Sequence, residues 1–127
     1  MWKENLPDKC PPIEAIEMNN ICYRVLKKNE PSEKDFIPLF KDSPRYRQIC
    51  QAYAISFFDT YDNAVANFYK TLEKGKVLGN YIAEYSVIET DGRQLFNRKN
   101  GHISVWFYST WNLNNFIPIN ISSIYDN

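Results

Sequence analysis

The chain has 127 residues, of which 44% are hydrophobic, so a single domain can bury a core without disulfides or a metal ion. Its 15 basic and 15 acidic residues cancel, which argues against attraction to nucleic acid or to an anionic membrane through bulk charge. Since the sequence also has no apolar run long enough to cross a bilayer, we expect neither a membrane nor a nucleic acid as partner.

Prolines and charged residues dominate the first 20 residues, which we predict to be an N-terminal arm before one domain over residues 21–127. In one interpretation Trp2 anchors the arm to the domain, and in the other the arm frays. Alternating apolar residues predict the first strand over residues 21–27. Ser32 is a suitable helix N-cap, so a helix is expected over residues 33–40, although Pro38 limits it.

A second strand, followed by the longest helix, is expected in the middle of the chain. Residues 53–58 alternate in polarity as a strand does. Apolar residues then recur at helical spacing: Tyr61, Ala64, Val65, Phe68, Tyr69 and Leu72. Asp59 or Thr60 caps the start of this helix, and Gly75 ends it.

The last third of the chain is predicted to consist mainly of strands. Alternation indicates strands over residues 79–89 and 102–108, a short strand can form over residues 94–97, and Asn100 with Gly101 is a favoured hairpin pair. Ser109 can cap a short helix that runs through Asn114, and a final strand over residues 116–121 completes the order. The prediction is a single α+β domain whose mixed or mainly antiparallel sheet has five or six strands, with one long helix and one or two short ones.

The three cysteines and the single histidine indicate neither a metal site nor a disulfide. Cys10, Cys22 and Cys50 form no close pair in the sequence, and one histidine does not complete a common zinc site. Residues 1–20 contain no apolar run typical of a signal peptide. We therefore expect a reduced, cytoplasmic protein with no bound metal and no permanently bound cofactor.

Four predicted strands each carry one polar residue among apolar neighbours, and these are the candidate catalytic residues: Arg24, Ser56, Glu84 and His102. An arginine can hold a phosphate, and a serine can orient a hydroxyl. A glutamate can act as a base or stabilise a cation, and a histidine can transfer protons near neutral pH. In a shared cleft the four would form a site.

Each candidate also has a purely structural interpretation. Arg24 can form a surface ion pair with Glu30 or Asp35, and Ser56 can be a small hydrogen-bonded strand residue. Glu84 can face solvent, and His102 can bond a turn carbonyl. Aromatic residues such as Tyr53 and Trp106 can stack on a flat cofactor, whereas core packing is their commoner role.

Several blocks of the sequence resemble a group of small uncharacterised bacterial proteins. They are Cys22-Tyr23-Arg24-Val25, Pro31 to Phe36, Ile55 to Thr60, Tyr81 to Glu84 and Gly101 to Trp106. The layout is also similar to the ADP-ribosyltransferase-like fold. That resemblance implies that Arg24 contacts a dinucleotide and that Ser56 takes the serine role on the second strand. The His102 strand stands about where the family has its catalytic glutamate, yet it holds no acid. Either Glu84 or Glu89 stands in for it, or the chemistry differs or is absent.

Two functions follow as hypotheses. The first is a small NAD-handling enzyme, either a toxin that transfers ADP-ribose or an NAD glycohydrolase. In it Arg24, Tyr53 and Trp106 would bind the dinucleotide, and Ser56 would act with Glu84 or His102. The second is a non-catalytic protein that binds a protein partner, such as an antitoxin, an immunity protein or a mobile-element accessory protein; its Tyr and Trp side chains suit an interface.

Overall fold

The computed structural model describes residues 1–126 and has one six-stranded sheet, with strand order β4-β5-β2-β1-β3-β6. Every neighbouring pair in this sheet is antiparallel. One long helix and several short helical turns accompany the sheet. The predicted α+β class is therefore confirmed, and of the two sheet types expected it is the antiparallel one.

The six strands are β1 (Asn20–Leu26), β2 (Ile55–Phe58), β3 (Tyr81–Val87), β4 (Gly92–Asn97), β5 (His102–Phe107) and β6 (Asn120–Ser123). The first five lie within three residues of their predicted ends. The last begins four residues later than predicted, because Phe116 turns into the aromatic core instead of pairing. Residue Tyr53, predicted in β2, belongs to a 3₁₀ helix over Cys50–Tyr53.

The helices are α1 (Leu39–Asp42) and α2 (Tyr61–Glu73). Thr60 caps α2 as predicted, because its hydroxyl accepts a hydrogen bond from the Asn63 N–H at 3.0 Å. The single helix predicted over residues 33–40 is wrong. It divides at Ile37 and Pro38 into a 3₁₀ helix over Glu33–Phe36 and the short α1. No helix in residues 1–126 is long and apolar enough to cross a membrane.

The helix predicted over residues 109–114 is also wrong. Only a 3₁₀ turn over Leu113–Asn115 forms, and Asn112 caps it rather than Ser109. The Ser109 N–H instead donates to the Met1 carbonyl at 2.8 Å. Pairing with the N-terminal arm therefore replaces helix formation at this position.

One face of the sheet carries a closed aromatic core. Its central rings are Phe36, Phe57, Tyr85, Phe107 and Phe116, which meet mostly edge to face, whereas Tyr85 and Phe116 stack with ring centres 4.3 Å apart. Burial of several aromatic side chains is the main contribution to the stability of a domain this small. We call this side the aromatic face.

The opposite face is covered by two separate elements. Helix α2 packs Ala64 and Phe68 against Phe58 and Ile82 of the sheet. The N-terminal arm and the 3₁₀ helix over Cys50–Tyr53 cover Trp106 further along. Because neither element spans the whole face, polar strand residues stay accessible between them. We call this side the polar face.

The arm is part of the fold. Ala15 is completely buried, and isolated bridges join Trp2 to Tyr108 and Ile16 to Gln94. A disulfide links Cys10 of the arm to Cys50, with 5.5 Å between the Cα atoms. The expectation of three free cysteines is wrong, because folding brings together two residues 40 positions apart. Cys22 is free and buried, and burial raises the pKa of its thiol to about 12.

Candidate functional site

The site begins where β1 and β2 separate. These neighbouring strands share one register pair, Tyr23 opposite Phe58, whereas β1 pairs with β3 along all seven of its residues. Beyond Tyr23 the two strands diverge, and a cleft of about 490 Å³ opens at the gap. Arg24 and Ser56 both line this cleft.

Arg24 enters the gap from the aromatic face. Its guanidinium lies over the rings of Phe36 and Phe57, and burial lowers its pKa to about 10. It donates to the Asp35 carbonyl from Nε at 3.0 Å and from Nη2 at 2.6 Å, and to the Ser56 carbonyl from Nη1 at 2.6 Å. Arg24 bonds the backbone of Asp35 and not its carboxylate. Hydrogen bonds to carbonyl oxygens therefore take the place of the ion pair with Asp35 that the sequence suggested.

The hydrogen bonds of Arg24 mainly hold the gap between the two strands in place, and they leave few N–H donors for a ligand. Three of the five guanidinium N–H groups are used on carbonyl oxygens. Arg24 is nevertheless one of the residues that line the cleft. It therefore links Asp35 to Ser56 across the gap and contributes positive charge to the lining of the cleft.

Ser56 and His102 meet on the polar face. Ser56 lies on β2 and His102 on the neighbouring β5, in the register that places Phe58 opposite His102. The Ser56 Oγ and His102 Nε2 atoms are 2.9 Å apart, which is a good hydrogen bond. Ser56 is exposed and His102 is half-buried, so the pair is open to a ligand on one side. Arg24 and His102 thus both contact Ser56, Arg24 at its main-chain carbonyl and His102 at its hydroxyl.

Two further polar side chains extend the pair, and one of them, Gln51, also lines the cleft. Ser104, two residues along β5, places its Oγ 3.5 Å from His102 Nδ1. The same hydroxyl donates to Gln51 Oε1 at 2.6 Å. Ser104 is buried, so its hydroxyl is held among protein partners. Ser56, His102, Ser104 and Gln51 therefore form one chain of polar contacts.

The surroundings keep the imidazole neutral. Burial first, and then the positive charge of Arg24, lowers the pKa of His102 below its ordinary value of 6.5. A neutral imidazole has one lone pair available to accept a proton. At neutral pH His102 is thus in the form that a general base requires.

The cleft is lined by groups suited to an anionic ligand with an apolar part. Three lysines line it together with Arg24: Lys27, Lys34 and Lys76. Asp35 and Asp42 also line it, but the Asp35 carboxylate already accepts the Ser32 N–H at 2.8 Å. The exposed apolar side chains Ile37, Leu39 and Val77 also line the cleft.

Glu84 is not brought to the other three candidates. In the register of the sheet, Glu84 lies opposite Tyr23, Tyr23 opposite Phe58, and Phe58 opposite His102. At about 4.8 Å per strand, Glu84 is roughly 14 Å from His102. Two aromatic residues stand between them, so the two side chains do not act on one bond.

The aromatic residues proposed to stack on a cofactor lie elsewhere. Tyr53 stacks on Phe40 with ring centres 3.8 Å apart, and its hydroxyl donates to the Arg47 carbonyl at 2.6 Å. Trp106 is 1% exposed, and its indole N–H donates to the Cys50 carbonyl at 3.2 Å. Both pack in the core that the N-terminal arm covers, which is the structural role considered for them, and neither lines the cleft.

The sequence assigns no role to Gln51 or Ser104. That Ser104 shares a strand face with His102 follows from the alternation of β5, because residues 102 and 104 point the same way. Gln51 had no comparable signal, since it reaches the site from a 3₁₀ helix that the sequence does not predict.

Comparison of the chain with protein-family models, with curated proteins and with solved structures finds no match. Within residues 1–126, no three His, Cys, Asp or Glu side chains are grouped so as to hold a metal ion.

Proposed function

We propose that this protein is a small enzyme that acts on an anionic ligand in the cleft, with Ser56 and His102 as its reactive pair. The observation that carries the proposal is the 2.9 Å contact between Ser56 Oγ and His102 Nε2 at the edge of a cleft that Ser56 itself lines. An exposed serine bonded to a neutral imidazole is the usual unit for moving a proton to or from a bound hydroxyl or water.

NAD is the substrate we propose, in line with the resemblance to ADP-ribosyltransferases. The Arg24 charge and the lysines of the cleft suit a pyrophosphate, and the apolar side chains Ile37 and Leu39 suit a flat ring. In hydrolysis, water attacks the ribose carbon and the bond to nicotinamide breaks with its electron pair leaving on nicotinamide. The proton of that water passes through Ser56 Oγ to His102 Nε2, which gives ADP-ribose, nicotinamide and a protonated His102.

The test is incubation of the purified chain with NAD, with chromatography of free nicotinamide and ADP-ribose. We expect release that falls on the order of 10²–10⁴-fold in His102→Ala, the range for loss of a general base. Ser56→Ala should lose activity as well. Ser86→Ala, an exposed serine of β3 remote from the cleft, is the matched control and should retain it. Absence of nicotinamide release, together with absence of label from NAD on proteins of a cell lysate, contradicts the proposal.

Binding of a protein partner is the second candidate, and the edge strand β6 favours it. Ile117 and Ile119, just before β6, are 69% and 56% exposed. An unpaired strand edge beside exposed apolar residues is a common surface for pairing with another chain. Ile117→Lys with Ile119→Lys should abolish a stoichiometric complex recovered from cells while leaving NAD hydrolysis intact. Recovery of the same complex by the variant contradicts this candidate.

A cytoplasmic location stays a prediction. The Cys10–Cys50 disulfide is a bond more common in oxidising compartments, so the state of these thiols in cells tests the location. If the protein is cytoplasmic, rapid alkylation of intact cells should label Cys10 and Cys50. Protection of both from alkylation would contradict it.

A further inference from the structure

We propose that Ser104 and Gln51 are positioning residues that keep the single proton of neutral His102 on Nδ1, which leaves Nε2 free to accept the proton of Ser56. The inference rests on the proposed role of Ser56 and His102, and it assigns a direction to the chain of polar contacts. It is carried by the geometry around Ser104.

The direction starts at Gln51. Its Oε1 only accepts hydrogen bonds, and it lies 2.6 Å from Ser104 Oγ, so the serine hydroxyl proton points at Gln51. Ser104 Oγ then has only lone pairs left for its second neighbour, His102 Nδ1, at 3.5 Å. Two lone pairs facing each other repel. The imidazole proton therefore belongs on Nδ1, where it points at Ser104.

The consequence reaches Ser56. A neutral imidazole carries one N–H, so a proton on Nδ1 makes Nε2 an acceptor. The 2.9 Å contact with Ser56 Oγ is then a bond donated by the serine hydroxyl. With the opposite tautomer, Nε2 would donate to Ser56 and His102 would have no lone pair facing the cleft side. Ser104 and Gln51 thus decide whether His102 can act as a base toward Ser56.

His102 is the only histidine of the chain, which makes the tautomer directly measurable. Nitrogen-15 labelling of histidine gives one pair of ring signals, and their shifts above the imidazole pKa report which nitrogen carries the proton. In the wild-type chain, without any substrate, we expect Nδ1–H to be the major form. A major Nε2–H form overturns the proposal.

Variants test the two positioning residues. Ser104→Ala and Gln51→Leu should lose the Nδ1–H preference, and NAD hydrolysis should fall on the order of tenfold, the scale for removing a group that orients an imidazole. Gln51→Glu, which still accepts from Ser104, should keep the preference; Ser86→Ala is the matched control. An unchanged tautomer in Ser104→Ala overturns the proposal. If Nδ1–H dominates but NAD is not hydrolysed, the positioning role holds and only the proposed substrate fails.

Discussion

The two faces of the sheet differ in how completely they are covered. The aromatic face is closed, because Phe57, Tyr85, Phe107 and Phe116 fill the space between the sheet and the segments that cover it. The polar face is covered by α2 on one side and by the arm on the other, with Ser56 and His102 accessible between them. Adjacent residues of one short strand, Ser56 and Phe57, thus serve different purposes.

This difference shows how a small domain accommodates a site. Because a strand alternates its side chains, β2 contributes Ile55 and Phe57 to the core and Ser56 to the cleft without any conflict of packing. Arg24 is the exception, since it starts on the aromatic face and reaches the cleft through the gap between β1 and β2. The aromatic face provides stability, and the polar face holds the hydrogen-bonded side chains of the candidate site.

The largest expected effect comes from breaking the closed face at Phe57. Phe57→Ala removes a fully buried ring that contacts Tyr85, Phe107 and Phe116, so we expect a loss of about 3–5 kcal/mol in the free energy of unfolding. Chemical denaturation measures it. Its neighbour provides the contrast: Ser56→Ala removes one hydrogen bond to His102 and should cost about 1 kcal/mol or less. Equal losses in the two variants would show that the faces do not differ as described.

The next effect concerns the arm that covers part of the polar face. Replacing Cys10 and Cys50 by serine together opens a loop of 40 residues, and we expect a loss of about 2–4 kcal/mol under non-reducing conditions. A reducing agent should destabilise the wild-type chain by a similar amount and leave the double variant unchanged. A wild-type chain whose unfolding is insensitive to reduction contradicts this prediction.

A smaller effect is expected at the hairpin that leads into β5. Gly101 has φ +75°, and a Cβ there would clash with Asp59 Oδ1, the atom that accepts the Asn63 side-chain N–H. Gly101→Ala should cost about 1–3 kcal/mol and displace His102 next to it. Thermal unfolding measures the first effect, and the histidine nitrogen-15 signals report the second. Gly75→Ala is the control, since its φ is also positive but nothing lies near its Cβ. A loss in Gly101→Ala no larger than in the control would contradict the crowding.

The smallest effect is the pH dependence that His102 adds to stability. Its folded pKa lies below the unfolded value of 6.5, so as pH falls below this value the unfolded chain takes up the proton first. The contribution of His102 is therefore fully present above pH 6.5 and is lost as pH falls through the folded pKa. The wild-type profile minus that of His102→Gln isolates it from the carboxyl groups. A difference that instead favours the wild-type chain at acid pH would show that the pKa is raised.

Much of the fold could be predicted because it rests on local patterns. Helix α2 was clear from the spacing of Ala64 and Phe68 and from the cap at Thr60, and β1, β2, β3 and β5 were clear from alternation. The errors fall where tertiary contacts override local signals. Phe116 leaves a predicted strand for the aromatic core, and the Ser109 N–H pairs with Met1 instead of beginning a helix.

The candidate site was predictable only in part. The sequence singled out Arg24, Ser56 and His102, and the structure brings these three together. It also singled out Glu84, which the strand order places roughly three strands, or about 14 Å, from His102. Sequence alternation gives the face of a residue, but it does not give the neighbour of its strand.

By itself, the sequence determined the fold class, the long helix and the face on which most strand residues lie, because these depend on residues close together in the chain. The tertiary structure alone decided the strand order, the gap between β1 and β2, and the Cys10–Cys50 bond. It also decided that Gln51 reaches Ser104 and that Trp106 is buried. These features join residues tens of positions apart, and their positions follow from how whole elements pack together.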